Sequence, residues 1–300
     1  MNTVSAPARS LAAAAGQQTV ARQARHDVAH RFVRHRTGML GLIIIVCVVA
    51  MAVLAETIAP YDWRAQDVLS RFEGPSAQHL FGTDELGRDI FSRILFGARF
   101  SLTIGVGAVV LSFALGTLLG ITAGFYRRLD GILMRVVDVM LAFPGILLAI
   151  ALVGALGPGL LSVILAIAVT EIPGFARLNR SMVLSLRERD FVLAARVVGA
   201  PDRTILGRHV LLNLVSPLLV FASLRLSTAI LVGATLSFLG LGIQPPIPEW
   251  GTMVSTARQY IATAPHTFLY PTLAIFATVI AFNLLGDALR DALDPTLRQA

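Results

Sequence analysis

Ser185-Leu186-Arg187-Glu188-Arg189-Asp190-Phe191-Val192-Leu193-Ala194-Ala195-Arg196-Val197-Val198-Gly199-Ala200-Pro201-Asp202, followed by Ile205 and Arg208-His209-Val210-Leu211, is the stretch on which the reading of this chain turns. Up to Val198 it is a good helix former. Gly199 reads as the helix stop, because glycine takes the left-handed conformation of a helix end at no steric cost, and Pro201 opens the next turn. Phe191, Ala194, Ala195 and Val198 recur at i, i+3, i+4 and i+7, which places them on one helical face. The spacing predicts a short amphipathic helix inside an Arg-rich loop over 178–212, with two alanines that admit a close partner. So short a helix is marginal in water by itself and needs a surface to pack on. A helix lying flat on lipid would gather its arginines opposite the apolar face, whereas here they are spread around it.

Outward from this loop the chain is apolar. Of 300 residues, 55% are hydrophobic and 14% charged, where a soluble domain carries roughly a quarter charged residues. Long uncharged runs account for the deficit, as a bilayer core requires. Gly38 to Ala55 is 18 residues without a charge and reads as an uncleaved anchor. A second span is expected at about 100–126. Its Ala108, Ser112, Gly116, Gly120 and Gly124 stand four apart on one face and let another helix approach closely. Val139 to Thr170 is 32 residues without a charge, too long for one untilted span, and Gly157-Pro158-Gly159 supplies a break. That gives a third span at about 131–155 and a fourth at 160–177, with a fifth at 210–240 and a sixth at 267–287. The expectation is an all-α membrane protein of six transmembrane helices. Its parts are a flexible basic tail (1–37), an anchor helix (38–59), a polar external segment (60–99), a five-helix core (100–291) and a short tail (292–300).

Arginine sets the orientation, since all 25 basic residues are Arg. Segments on the N-terminal side hold 17 of them and the opposite side six, with Arg135 and Arg225 inside spans. The positive-inside rule then puts both termini and the 178–212 loop in the cytoplasm, and 56–98 and 241–266 outside. Cys47 is the sole cysteine, so no internal disulfide or cysteine metal cluster is possible. The histidines are scattered at non-span or boundary positions, and no metal site is expected. Without lysine the chain has no phosphate-binding loop of the Gly-x-x-x-x-Gly-Lys kind.

Ala194-Ala195-Arg196 with Gly199-Ala200, followed by Ile205 and a hydrophobic pair, resembles the EAA loop of ABC importer permeases, although Leu211-Leu212 stands where that family often has Leu-Pro. Three more blocks narrow the resemblance: Phe81 to Arg93, Leu236 to Gly251, and Asn283 to Pro295 are similar to the dipeptide, oligopeptide and nickel permeases, in the C-type subunit. The resemblance implies a type I ABC importer permease fold in the bacterial inner membrane. It also implies a cytoplasmic coupling helix in which Asp190, Phe191, Ala194, Ala195, Arg196, Gly199, Ala200, Asp202 and Ile205 dock on an ATPase. Implied partners are a B-type permease, two ATP-binding subunits and an extracytoplasmic solute-binding protein. ATP and Mg would sit on the ATPase subunits, with no cofactor on this chain and no catalysis by it. The implied cargo is a di- or oligopeptide, with nickel or glutathione as alternatives inside the family. An ion-gradient transporter is the rival outside it. That rival calls for a repeat of paired broken helices, which the sequence does not show.

Four charges fall in the apolar runs, where they are costly and functional by default. Arg135 and Asp138, three apart, can pair on one helical face. Glu171 precedes Pro173, which is expected to kink the fourth span. Arg225, in mid-run, is expected to pair with Glu171 or to line the solute path.

Overall fold

Helices α1 (Arg36–Ile58) and α2 (Ile90–Phe125) open the computed structural model, which describes residues 32–293. Most of the expected basic tail (1–31) and the end of the C-terminal tail (294–300) lie outside the described residues. His35 caps α1, its Nδ1 accepting from the Gly38 amide at 3.2 Å. Gly41 lets α1 close on the last helix: a Cβ there would lie 2.7 Å from the Ala281 carbonyl oxygen. The outward residues of α1 (Ile43, Val46, Val53) are exposed and apolar, as a lipid-facing surface must be.

Helix α2 starts ten residues before the expected 100. Asp89 caps it by accepting from the Ser92 amide at 2.7 Å. The Arg-bearing stretch 90–99 is thus helical, with Ile90, Ile94 and Ala98 packed in a second apolar cluster beside Val48, Ala52, Trp250 and Met253. The small residues of α2 face α5 (Leu160–Leu186), which runs through Pro173. A Cβ on Gly116 would lie 2.5 Å from Phe175 Cβ and 2.8 Å from the Ile172 carbonyl oxygen. Asn179 of α5 donates to the Thr117 hydroxyl at 3.2 Å across this interface.

The expected third span, 131–155, is instead two helices, α3 (Arg127–Leu141) and α4 (Gly145–Leu156), bent by 88°. Pro144 is the cause, since the residue before a proline is driven out of the helical region. After α5 come the short α6 (Asp190–Val197), one helical turn (Asp202–Thr204) and a wide π-type turn (Ile205–Leu211). The wide turn runs without interruption into α7 (Leu212–Phe238). Helices α8 (Trp250–Ala257) and α9 (Pro265–Leu293) complete the chain. Among the described residues, five helices are long and apolar enough to cross a membrane, or six if α3 and α4 together form one broken span.

The core lies where α2, α5 and α7 meet, around Ile104, Ile167, Phe175, Leu214 and Leu218. Phe175 is edge-on to Phe113 at 5.7 Å and to Phe221 at 4.9 Å, joining the three helices. Beyond the far end of α2, residues 60–89 and 241–264 form a polar cap. Asp84 organises it, accepting from the Leu86 and Arg88 amides (2.9 and 3.0 Å) and from Arg88 Nε (2.7 Å), with Arg93 Nε at 3.5 Å. The Trp250 indole, fully buried, donates to the Ile94 carbonyl at 3.0 Å. Glu249 is also buried. It accepts from the Gly251 and Thr252 amides of α8 (3.0 and 2.9 Å) and from the Ser101 hydroxyl (3.1 Å). In the same cap the Asp67 carboxyl is held below the usual carboxylate range by the Ser70 hydroxyl and the Leu69 amide.

Candidate functional site

Two features can carry function: α6 at one end of the molecule and a pair of charges in mid-span. Asp190 in the first turn of α6 and Arg196 in the last both complement the helix dipole. The helix ends on Gly199, at φ 80°. The Gly199 amide donates to the Arg196 carbonyl at 2.9 Å and the Ala200 amide to the Ala195 carbonyl at 3.0 Å, satisfying carbonyls that the helix end would otherwise leave bare. Val192 anchors α6 in the core beside Ile205 and Val210, with Ala195 and Ala200 half-buried against it. Of the expected apolar face, Phe191, Ala194 and Val198 are exposed, joined by Leu193 and Val197. Val197 and Val198 are 87% exposed. Asp202 opens the single turn that follows, and the Arg196 guanidinium sits 5.5 Å from the centre of the Phe125 ring, tying α6 to the end of α2.

In mid-span, Arg225 Nη1 lies 3.2 Å from Glu171 Oε2. The contact is ionic only: Oε2 is buried and receives no well-directed hydrogen bond. The Arg225 guanidinium also stacks 4.6 Å from the Phe221 ring centre. Gly174 makes room for it, since a Cβ there would stand 3.2 Å from Arg225 Nη2. The Glu171 side chain is 8% exposed, but that of Arg225 remains 34% exposed.

The expected Arg135–Asp138 pair does not form. Asp138 instead accepts from Arg177 Nη2 at 2.7 Å, and both groups are exposed. The bend between α3 and α4 lets α3 lie along the end of α5, bringing a partner 39 positions away within reach. Arg135 is exposed and has no carboxylate at ion-pair distance among the described residues. About two turns nearer the start of α3 than Asp138, Asp130 accepts from Arg180 through both oxygens, at 2.5 and 2.7 Å. Sequence reasoning missed this bidentate pair. Asp130 at the start of an Arg-flanked helix was its available signal. The buried caps Asp89 and Glu249 were likewise legible only as parts of family-like blocks.

A bundle built around small-residue contacts, with one exposed amphipathic helix and a polar cap at opposite ends, defines a polytopic membrane protein. Comparisons with known proteins agree. Residues 116–299 match the family described as the binding-protein-dependent transport system inner membrane component, and residues 24–75 match the N-terminal TM domain of oligopeptide transport permease C. The chain is 51% identical over 275 residues to the glutathione transport system permease protein GsiD of Escherichia coli O6:K15:H31 (strain 536 / UPEC), covering 91% of each chain. The GsiD of Shigella boydii serotype 4 (strain Sb227) matches to the same extent. Among solved structures, the MetNI methionine ABC transporter in inward-facing conformations is similar in fold. One crystal form has a TM-score of 0.52 at 21% identity, over 67% of this chain and 97% of that one. Another has a TM-score of 0.53 at 19% identity, over 66% and 95%. The chain belongs to the family of binding-protein-dependent inner-membrane transport components and is the permease subunit of an ABC importer.

Proposed function

We propose that the chain forms half of a translocation path for di- and oligopeptides or closely related solutes, and that residues 190–206 couple it to an ATP-hydrolysing subunit. Glutathione, named for the GsiD relatives, is a tripeptide and falls within this class. The observation that supports coupling best is the outward presentation of Val197 and Val198 on a helix anchored by buried Val192 and ended by Gly199. Exposed valines on a helix at the basic, cytoplasmic side call for a protein surface to cover them. A B-type permease would supply the other half of the path, two ATPase subunits would bind ATP and Mg, and a solute-binding protein would dock outside. Both termini face the cytoplasm in this reading, by the arginine distribution.

ATP closure of the ATPase pair displaces α6. The wide turn Ile205–Leu211 continues directly into α7, so the displacement passes to a helix that lines the path. The test is co-expression with the B-type partner and ATPase subunits in lipid vesicles, comparing the wild type with Gly199→Trp. Binding-protein-stimulated ATP hydrolysis that collapses in an assembled Gly199→Trp complex is the expected result. Solute uptake that proceeds without ATP or an ATPase subunit overturns the reading and favours a gradient-driven transporter.

A further inference from the structure

Arg225 is placed as a binding group, not only as a structural charge. We propose that its guanidinium holds the carboxylate of the transported solute in mid-membrane, with Glu171 fixing its position. This inference rests on the permease reading above and adds a chemical requirement on the cargo.

Four observations carry it. First, a guanidinium has five N–H donors. Among the described residues, Arg225 has one ionic contact at 3.2 Å and one aromatic face, so most of its donors are unspent. In hydrocarbon, donors without acceptors are expensive. Second, several small or polar positions lie on the surface beside Arg225. Outward residues of α1, α2 and α9 include Val46, Val110, Leu118 and Phe276, all apolar. Along α5, by contrast, the half-exposed or exposed positions Thr170, Gly174, Arg177 and Ser181 recur at helical spacing, and on α7 Thr228 is exposed one turn from Arg225. The charges of Arg177 and the half-exposed Arg225 on this side favour water or protein over lipid tails. Third, an open groove of about 470 Å³, lined by Leu178, Pro217, Val220, Phe221, Leu224 and Arg290 among others, reaches within a turn of Arg225 on α7 and runs from there toward the start of α7 and the end of α9, with neither Arg225 nor Glu171 in its lining. Phe221 is the same ring on which Arg225 stacks, and among the described residues Arg290 is the only charged one in the lining. The volume suits a solute of a few residues, and the charge balance suits an anionic end. Fourth, the site is shaped for Arg225. Gly174 leaves space for the guanidinium, and buried Glu171 holds one edge of it while leaving the remainder open. A carboxylate is the planar acceptor that such a fork takes best.

The experiment uses the assembled importer, without binding protein or nucleotide, in nanodiscs of zwitterionic lipid. Ligand-observed NMR compares trialanine with trialanine amide at millimolar concentration, in the wild type and in Glu171→Gln/Arg225→Gln. The double variant removes both charges, so neither is left buried alone; Glu171→Gln keeps the carboxylate's shape, while Arg225→Gln also shortens the side chain. The expected result is that the free acid binds the wild type about ten- to a hundredfold more tightly than the amide. The double variant should bind both about equally. No detectable binding of the free acid, equal binding of both by the wild type, or a preference for the acid that survives in the double variant would each overturn the proposal. Binding-protein-stimulated ATP hydrolysis in the same wild-type preparation separates the two readings. If hydrolysis is present without acid preference, only this inference fails. If hydrolysis is absent, the permease coupling itself is in question.

Discussion

Gly116→Ala tests the contact on which the bundle is built. The added Cβ would stand 2.5 Å from Phe175 Cβ and 2.8 Å from the Ile172 carbonyl oxygen, where ordinary contact begins near 3.4 Å. The shortfalls are 0.9 Å (3.4 − 2.5) and 0.6 Å (3.4 − 2.8). Both opposing atoms are fixed to the backbone of α5, so no side-chain rotation relieves them and the two helices must part. Overpacking of this kind costs about 1–3 kcal/mol. Replacing glycine by alanine inside a helix returns about 0.5–1 kcal/mol through propensity. The net expectation is a loss of about 0–2.5 kcal/mol, centred near 1, or a fall in Tm centred on roughly 2–5 °C for a domain of this size. Gly131→Ala in α3 is the control. It gains the same propensity but meets nothing within 4 Å, so its Tm should rise slightly. Thermal scanning of the purified importer in detergent, read by size-exclusion chromatography, measures both. If the two substitutions shift Tm in the same direction, or Gly116→Ala leaves it unmoved, the close α2–α5 packing is not what holds the bundle.

Arg225→Leu should lower the yield of assembled complex, because it strands the Glu171 carboxylate in the interior at a cost of about 3–5 kcal/mol, discounted for the partial exposure of Arg225. Adding Glu171→Gln should restore much of that yield, as scored by fluorescence-detected gel filtration. Gly199→Val forces a β-branched residue to φ 80°, a strain of about 1–3 kcal/mol confined to the end of α6. Stimulated ATP hydrolysis should fall more than expression, and Gly199→Asn should be milder. Trp250→Phe leaves the Ile94 carbonyl without its buried donor. It should cost about 1–3 kcal/mol in thermal stability, while the unstimulated ATPase rate of the complex stays unchanged at low temperature.

Local chemistry was legible in the sequence, and distant pairing was not. Gly199 could be read as a helix stop because a left-handed terminus is a property of one residue and its neighbours. The row Ala108 to Gly124 announced a close helix contact, since four-residue spacing fixes a face whatever lies across from it. The bend at Pro144 was hidden by the uncharged run around it. Hydropathy weighs the run and ignores the proline that breaks it. Asp138 had a basic neighbour at Arg135, three positions away. Its partner is Arg177, on another helix. Which of two arginines reaches a carboxylate depends on helix crossing, and that information is absent from the local sequence. Arg225 and Glu171 could be nominated as partners because burial of charge is costly. The role of Gly174 in making room for the guanidinium shows only in three dimensions.

Helix α2 has 36 residues, a rod about 54 Å long at 1.5 Å per residue, against a hydrocarbon layer of about 30 Å. Its surplus length packs against the segments at either end of the bundle. One end carries the Ile94 carbonyl that receives the Trp250 indole, and the other carries Phe125 beneath Arg196 and the Gly124 carbonyl that accepts from Arg187 at 3.2 Å. The two faces of the membrane are therefore joined by a single unbroken strut. A tilt of about 10° around its midpoint would sweep each end through about 5 Å in opposite directions, by the same rise per residue. The outer cap and the inner helix α6 are thus attached to one continuous helix, and a rigid-body tilt of α2 would move both.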